Sequence, residues 1–201
     1  KNPAQKALRR QQILDVTRTR FESLSYEEVN LNHIAADVGI TKAALYRYFR
    51  NKETLFLALF VETLGELISS AEQNIQQESL AKLITATLLA NPIYCKLSAI
   101  LHTILERNLT LDEASQFKQT LLELMAVYAQ MLEEHDALKA TGSQSRSLSI
   151  LMQVQQALIG VWHMTHPTGA IAEVIETPPL NVFKRDFDDA LLSHIEKIVK
   201  E

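Results

Sequence analysis

Apolar residues recur three and four positions apart along almost the whole chain, and no stretch alternates apolar with polar in the manner of a half-buried strand. From about Leu8 to Leu24, the residues Ile13, Leu14, Thr17, Phe21 and Leu24 form one helical stripe. A second stripe, Leu31, Ile34, Ala35 and Val38, follows Asn30, a residue suited to capping. It stops at Gly39, whose freedom at positive φ ends a helix at little cost. Thr41 then caps a third helix that turns Ile40, Leu45 and Phe49 inward and groups Lys42, Ala43, Tyr46 and Arg47 on the other face. Helix, glycine-containing turn and helix over residues 30–52 make the helix-turn-helix pattern. Asn51 opens a fourth helix at Lys52, whose Leu55, Phe56, Leu59, Phe60, Leu64, Leu67 and Ile68 continue for several turns. Gly65 is the sole breaker up to Ile68, so this segment reads as a stiff rod rather than a loose linker.

Beyond the rod the punctuation continues to mark helices. Ser79 opens one, and Asn91-Pro92 places a cap before a proline at the first helical position, so a helix ends and another begins there. The segment Ile93 to Leu109 follows. Thr110 and Glu113 form a T-x-x-E capping box ahead of a stripe of Phe117, Leu121, Leu124, Met125, Tyr128 and Leu132, which Thr141-Gly142-Ser143 ends. From Gln144 to Thr165 two apolar faces share one helix. Leu148, Leu151, Met152, Leu158, Ile159 and Trp162 lie on one, and Ile150, Val154, Ala157 and Val161 on the other, so a second partner is expected. His166-Pro167-Thr168-Gly169 and Thr177-Pro178-Pro179 then break the chain before a last helix carrying Phe183, Phe187, Leu191, Ile195 and Ile198.

Composition agrees with an all-α reading, with five glycines and five prolines in 201 residues and 47% hydrophobic content, enough for a packed core. The longest apolar run, Leu55 to Val61, falls far short of the roughly 20 residues that cross a bilayer, so no membrane partner is expected. The single cysteine, Cys95, excludes an internal disulfide and suits a reducing compartment. Charge is unevenly placed. Residues 1–52 hold ten Lys or Arg against five Asp or Glu, a balance of +5, while the remainder holds ten against nineteen, or -9. A polyanion is drawn to the first part and repelled by the second, which orients an approach to DNA.

The residues Ile34-Ala35, Val38-Gly39-Ile40-Thr41-Lys42, Leu45-Tyr46, Phe49 and Lys52-Glu53-Thr54-Leu55, preceded by Arg10, Ile13-Leu14, Phe21 and Tyr26, stand at spacings that resemble the tetracycline-repressor-like (TetR) transcriptional regulators. Ser25 and the pair Asp15-Val16 depart from the family pattern, and serine is a tolerable turn residue. The resemblance covers about the first quarter of the chain. It implies a three-helix DNA-binding domain over residues 1–52, joined by a continuous helix to a larger helical effector-binding and dimerisation bundle over 53–201, about nine helices in all. It also implies a cytoplasmic homodimeric repressor with no cofactor, paired through its last two long helices, that leaves a pseudo-palindromic double-stranded operator when a small effector binds.

By position, the resemblance places Asn32, Thr41, Lys42, Ala43, Ala44, Tyr46, Arg47, Tyr48 and Lys52 at DNA. Chemistry sorts these residues: Lys42 and Arg47 can donate to guanine O6 and N7, Ala43 and Ala44 offer methyl contact or close approach, and Tyr46, Tyr48 and Lys52 suit phosphate. For the effector it points to Tyr94, His102, Glu106, Phe117, Met125, Tyr128, Met152, Gln155 and Trp162. The apolar balance of these favours a hydrophobic or amphipathic molecule. For the dimer it points to Ile150, Val154, Ala157, Val161, Phe187, Leu191 and Ile195. Two other classes stay open on the residues alone: a helical adaptor that binds only protein, and a metal-dependent helical enzyme using His163 and His166 at i, i+3 spacing. The first leaves the basic head unexplained, and in the second Pro167 ends the helix at once with no Glu-x-x-His pair beside it.

Overall fold

Asn2 sets where the first helix begins. In the computed structural model, which describes residues 2–75, 79–135, 138 and 144–200, its side chain accepts from the Ala4 amide at 3.1 Å and Pro3 takes the first helical position. Helix α1 (Pro3–Ser23) therefore starts earlier than its apolar stripe. The turn after it is closed reciprocally, with Glu28 accepting from the Ser25 amide at 2.7 Å and the Ser25 hydroxyl from the Glu28 amide at 3.4 Å, so serine serves well here. Asn30 caps α2 (Leu31–Val38) through the Asn32 amide, and Gly39 ends it at φ 71°. Thr41 caps α3 (Lys42–Leu45) through the Ala44 amide at 3.1 Å.

Helix α3 is shorter than its spacing predicts. After Leu45 the chain tightens into three-residue bonds, Arg47 to Ala44 and Tyr48 to Leu45, while Leu45 and Phe49 stay buried. Asn51 and Thr54 form a capping box for α4 (Lys52–Gln73), the rod, ten of whose residues are buried. Ser79 caps α5 (Leu80–Leu89). Pro92 does open α6 (Pro92–Ile100), but Asn91 does not cap it; its amide donates back to the Thr87 carbonyl at 2.7 Å instead. A single π turn, Leu101–Leu105, continues α6. The Thr110–Glu113 box opens α7 (Leu111–Glu133) as its sequence predicts. Then come α8 (Gln144–Thr165), α9 (Gly169–Val174), a 3-10 turn (Leu180–Phe183) and α10 (Phe187–Lys200). Phe183 belongs to that turn and is exposed, not to the last helix. Thr141, Gly142 and Ser143 lie outside the described residues.

Ten α-helices and no strand occur among the described residues, and all of them except the short α9 contribute to one buried cluster. Helix α4 passes through it, touching α1, α5, α6 and α7, while α8 packs on α6, α7 and α10. This corrects the second-face reading of α8. Ile150, Val154 and Val161 are 3–5% exposed and Leu191 and Ile195 are 0% exposed within one chain, because α10 and its neighbours already cover them. Those five residues are core within the single chain. Ala157 and Phe187 are half-buried, and Phe187 turns its ring edge to Trp162 at 5.5 Å.

Candidate functional site

The basic head contains many cations, and internal partners claim most of them. Arg9 donates to the Val38 carbonyl at 2.8 Å, Arg18 bonds Glu62 and Glu66 at 3.0 and 2.7 Å, and Arg20 pairs with Asp37 at 2.6 Å. Each of these fastens α1 to α2 or to the rod. Lys96, from α6, donates to the Phe21 and Leu24 carbonyls at the end of α1, with its ammonium 4.3 Å from the Phe21 ring centre. Lys42 and Arg47 are different. Both are exposed, and neither has a hydrogen bond or ion pair among the described residues; Lys42 lies 5.9 Å from the centre of the Tyr46 ring. Asn32, Thr41, Ala43 and Tyr46 are exposed beside them, and Ala44 is half-buried.

Two residues assigned to DNA have other work. Lys52 sits with its ammonium 4.2 Å from the Tyr26 ring centre and donates to the Tyr26 carbonyl, which ties the α1–α2 turn to the start of the rod. Burial lowers its pKa, against the pull of Glu27 and Glu53. In this structure its ammonium anchors the head to the rod rather than standing free in solvent. Tyr48 is half-buried with its ring against the core.

Arg50 links the head to the body. Its guanidinium grips the Glu113 carboxylate with two bonds of 2.7 and 2.6 Å and donates to the Asn108 carbonyl at 2.6 Å, while the Asn108 amide donates to Glu53 at 2.6 Å. Glu113 is also the capping-box residue of α7. The Arg50 guanidinium first, and the Thr110 amide next, hold its carboxyl at about 2 instead of 4.5. A carboxyl held down in the folded state contributes stability that is complete above 4.5 and is lost as pH falls toward 2. Glu113→Gln keeps the cap, so its thermal midpoint should lie below that of the native chain at neutral pH, with the gap closing between pH 4.5 and 2. A gap that does not change with pH would mean the ion pair contributes nothing.

In the body, a cavity of about 260 Å³ opens between α4, α5, α6 with its π turn, α7 and α8. Of the expected residues Tyr94, His102, Met125, Tyr128, Met152 and Gln155 line it. Three do not. Glu106 stands outside the lining and holds two residues that belong to it, His102 at 2.9 Å and Lys118 at 2.5 Å. Phe117 packs behind Phe60, 6.2 Å between ring centres, and Trp162 stacks on His166 at 3.9 Å near Phe187. The lining that spacing could not predict comes largely from the rod, Phe60, Leu64 and Leu67, and from Ile84, Leu88 and Leu151. Tyr94 donates to Gln155 Oε1 at 3.0 Å, while Gln155 Nε2 and the Tyr128 hydroxyl are buried with no partner among the described residues. His163 bonds the Ala99 carbonyl at 3.0 Å while His166 stacks on Trp162, so the two rings serve packing separately.

Comparison with known proteins covers both parts. The profile described as bacterial regulatory proteins, tetR family, matches residues 13–59, and the one described as tetracyclin repressor-like, C-terminal domain, matches residues 56–200. The chain belongs to the TetR family. It is 24% identical over 196 residues to the fatty acid metabolism regulator protein of Bacillus subtilis, covering 97% of this chain and 96% of that one. Its fold is similar to that of the fatty acid degradation regulator FadR from Bacillus halodurans, with a TM-score of 0.58, 17% identity and 99% and 96% coverage of this chain and that one. It is also similar to that of NalD, the secondary repressor of the MexAB-OprM multidrug efflux pump in Pseudomonas aeruginosa, with a TM-score of 0.52, 20% identity and 96% coverage of each chain. As a TetR-family member this protein is a DNA-binding transcriptional regulator.

Proposed function

We propose that this TetR-family regulator acts in the cytoplasm as a homodimeric repressor that reads a pseudo-palindromic operator with Lys42 and Arg47 and is released by a hydrophobic or amphipathic effector held in the body cavity. The observation that carries the DNA reading is the pair of exposed cations without a hydrogen bond or ion pair among the described residues, Lys42 at the start of α3 and Arg47 in the turn that follows it, in a head whose other cations are largely engaged. Arg47 presents the bidentate fork that suits guanine, and Asn32, Thr41, Ala43, Ala44 and Tyr46 border it. Two copies would set their α3 helices one DNA turn apart, about 34–36 Å. The surface that α8 offers a second copy is its solvent stripe, Ser149, Gln156, Gly160, His163 and Met164. Among the described residues no atom beyond the helix's own adjoining backbone lies within 4 Å of where a Gly160 Cβ would sit, so a partner helix can approach closely.

The names of two relatives, both regulators of fatty acid metabolism or degradation, and the mostly apolar lining favour an effector with a hydrocarbon body. Coupling has two routes to the head. Helix α4 lines the cavity through Phe60, Leu64 and Leu67 and begins at Lys52, and α7 lines it through Leu121, Met125 and Tyr128 and carries in its first turn Glu113, gripped by Arg50. An effector that moves the population from 1:99 to 99:1 must favour one state by about 5.5 kcal/mol. A mobility-shift titration on the DNA flanking its own gene, at two salt concentrations and with and without fatty acyl derivatives, tests the proposal. Retardation equal to that of unrelated DNA, or unaffected by every derivative, would sink the respective half. Arg47→Ala is expected to cost about 1–3 kcal/mol on the operator and to relax the preference at one base position. Equal losses on operator and random DNA would make it a backbone contact.

A further inference from the structure

The cavity lining is apolar except at one inner place and at its exposed edge. Tyr94 of α6, Tyr128 of α7 and Gln155 of α8 converge at the inner place. The Tyr94 hydroxyl donates to Gln155 Oε1, which leaves the amide nitrogen over, and that nitrogen and the Tyr128 hydroxyl are both buried donors with no partner among the described residues. Burial first, and the nearby Tyr94 next, push the Tyr128 ionisation upward, as expected of two phenols in one dry place. Buried donors in folded proteins nearly always have an acceptor, and here none stands within hydrogen-bond geometry of either among the described residues. A charged acceptor does not suit the spot. The basic side chains of the lining, His102 and Lys118, are about half exposed at 51% and 54%, and both are already held by Glu106. A carboxylate at the inner place would be desolvated beside two neutral donors.

We propose that the cavity takes a ligand with an apolar body and a neutral carbonyl, of the ester, thioester, ketone or amide class, whose oxygen accepts from Gln155 Nε2 and the Tyr128 hydroxyl. The proposal rests on the reading of this cavity as the effector site, and it adds the group by which the effector is recognised.

Calorimetry on the full chain with methyl hexanoate, hexanoate and nonene tests it. The ester is expected to bind about tenfold or more tightly than hexanoate at neutral pH. Tyr128→Phe should weaken the ester about fivefold and leave nonene unchanged, and so should Tyr94→Phe with Gln155→Leu, replaced together so that neither partner is orphaned. The thermal midpoint of free Tyr128→Phe should be unchanged or raised, since the hydroxyl it lacks has no partner; a clear fall would give that hydroxyl a structural role and overturn the assignment. Hexanoate binding as tightly as the ester, or substitutions that weaken ester and nonene alike or neither, would overturn the carbonyl proposal while leaving the cavity a ligand site. Failure of all three probes to bind the native chain would remove the cavity as effector site, and the proposal with it.

Discussion

Replacing Phe56 by alanine is expected to destabilise the protein by about 3–5 kcal/mol, because the ring is fully buried where three parts of the chain meet. Its edge faces Phe21 of α1 at 5.1 Å and Tyr26 of the following turn at 4.9 Å, with the Lys52 ammonium 6.0 Å from its centre. The head is seated on the rod through this cluster. Removing the ring takes away the apolar burial and leaves a cavity that α1 cannot close, since Lys96, Arg18 and Arg20 hold it in place. Denaturant unfolding followed by circular dichroism measures the cost, and Phe56→Leu, which keeps most of the volume, should lose less than about 1.5 kcal/mol. A cost under about 1 kcal/mol for alanine would show that the head is not seated through this ring.

Phe60→Ala is expected to cost less, near the lower end of the same range at about 3 kcal/mol, although the chemistry is identical and the ring is equally buried. One turn further along α4, Phe60 packs against Tyr94 at 5.2 Å and Phe117 at 6.2 Å, but it also lines the ligand cavity and so has fewer atoms to lose. The vacated volume joins the cavity, so longer hydrocarbon ligands should gain relative to shorter ones in this variant. The pair of substitutions makes the comparison sharp. If Phe60→Ala costs as much as Phe56→Ala and ligand length preference does not move, the cavity does not reach that ring.

The parts of the molecule that depend on residues a few positions apart are legible in the sequence. Asn30, Thr41, Asn51, Ser79 and the box at Thr110–Glu113 cap the helices that the sequence predicts for them, because a cap is a bond between a side chain and an amide two or three residues on; Thr54 adds a reciprocal bond to Asn51 that the sequence reading lacks. Asn91 failed by the same rule's competitor, a bond back to Thr87 that the sequence offers equally well. The helical stripes marked which residues face inward. They did not mark inward against what, and that is why Ile150, Val154, Val161, Leu191 and Ile195 were assigned to a partner copy when the chain's own helices cover them.

The candidate sites divide along the same line. Exposure of Lys42 and Arg47 follows from their place opposite Leu45 on one short helix and the helical turn that continues it. That Lys52 is drawn onto Tyr26, or that Arg50 finds Glu113 across 63 residues, has no local signal. Likewise Phe60, Leu64 and Leu67 carry the same stripe whether they meet a closed core or a cavity. The sequence alone determined an all-helical chain, a capped helix-turn-helix with a basic face and a stiff helix leaving it, since each is set by short-range periodicity, backbone freedom at Gly39 and side-chain capping. The tertiary structure alone decided which cations of the head stay exposed and unbonded, where the cavity lies and that the Tyr128 hydroxyl and the Gln155 amide nitrogen are buried beside it with no partner among the described residues, because those outcomes depend on which distant surfaces compete for the same donors and the same space.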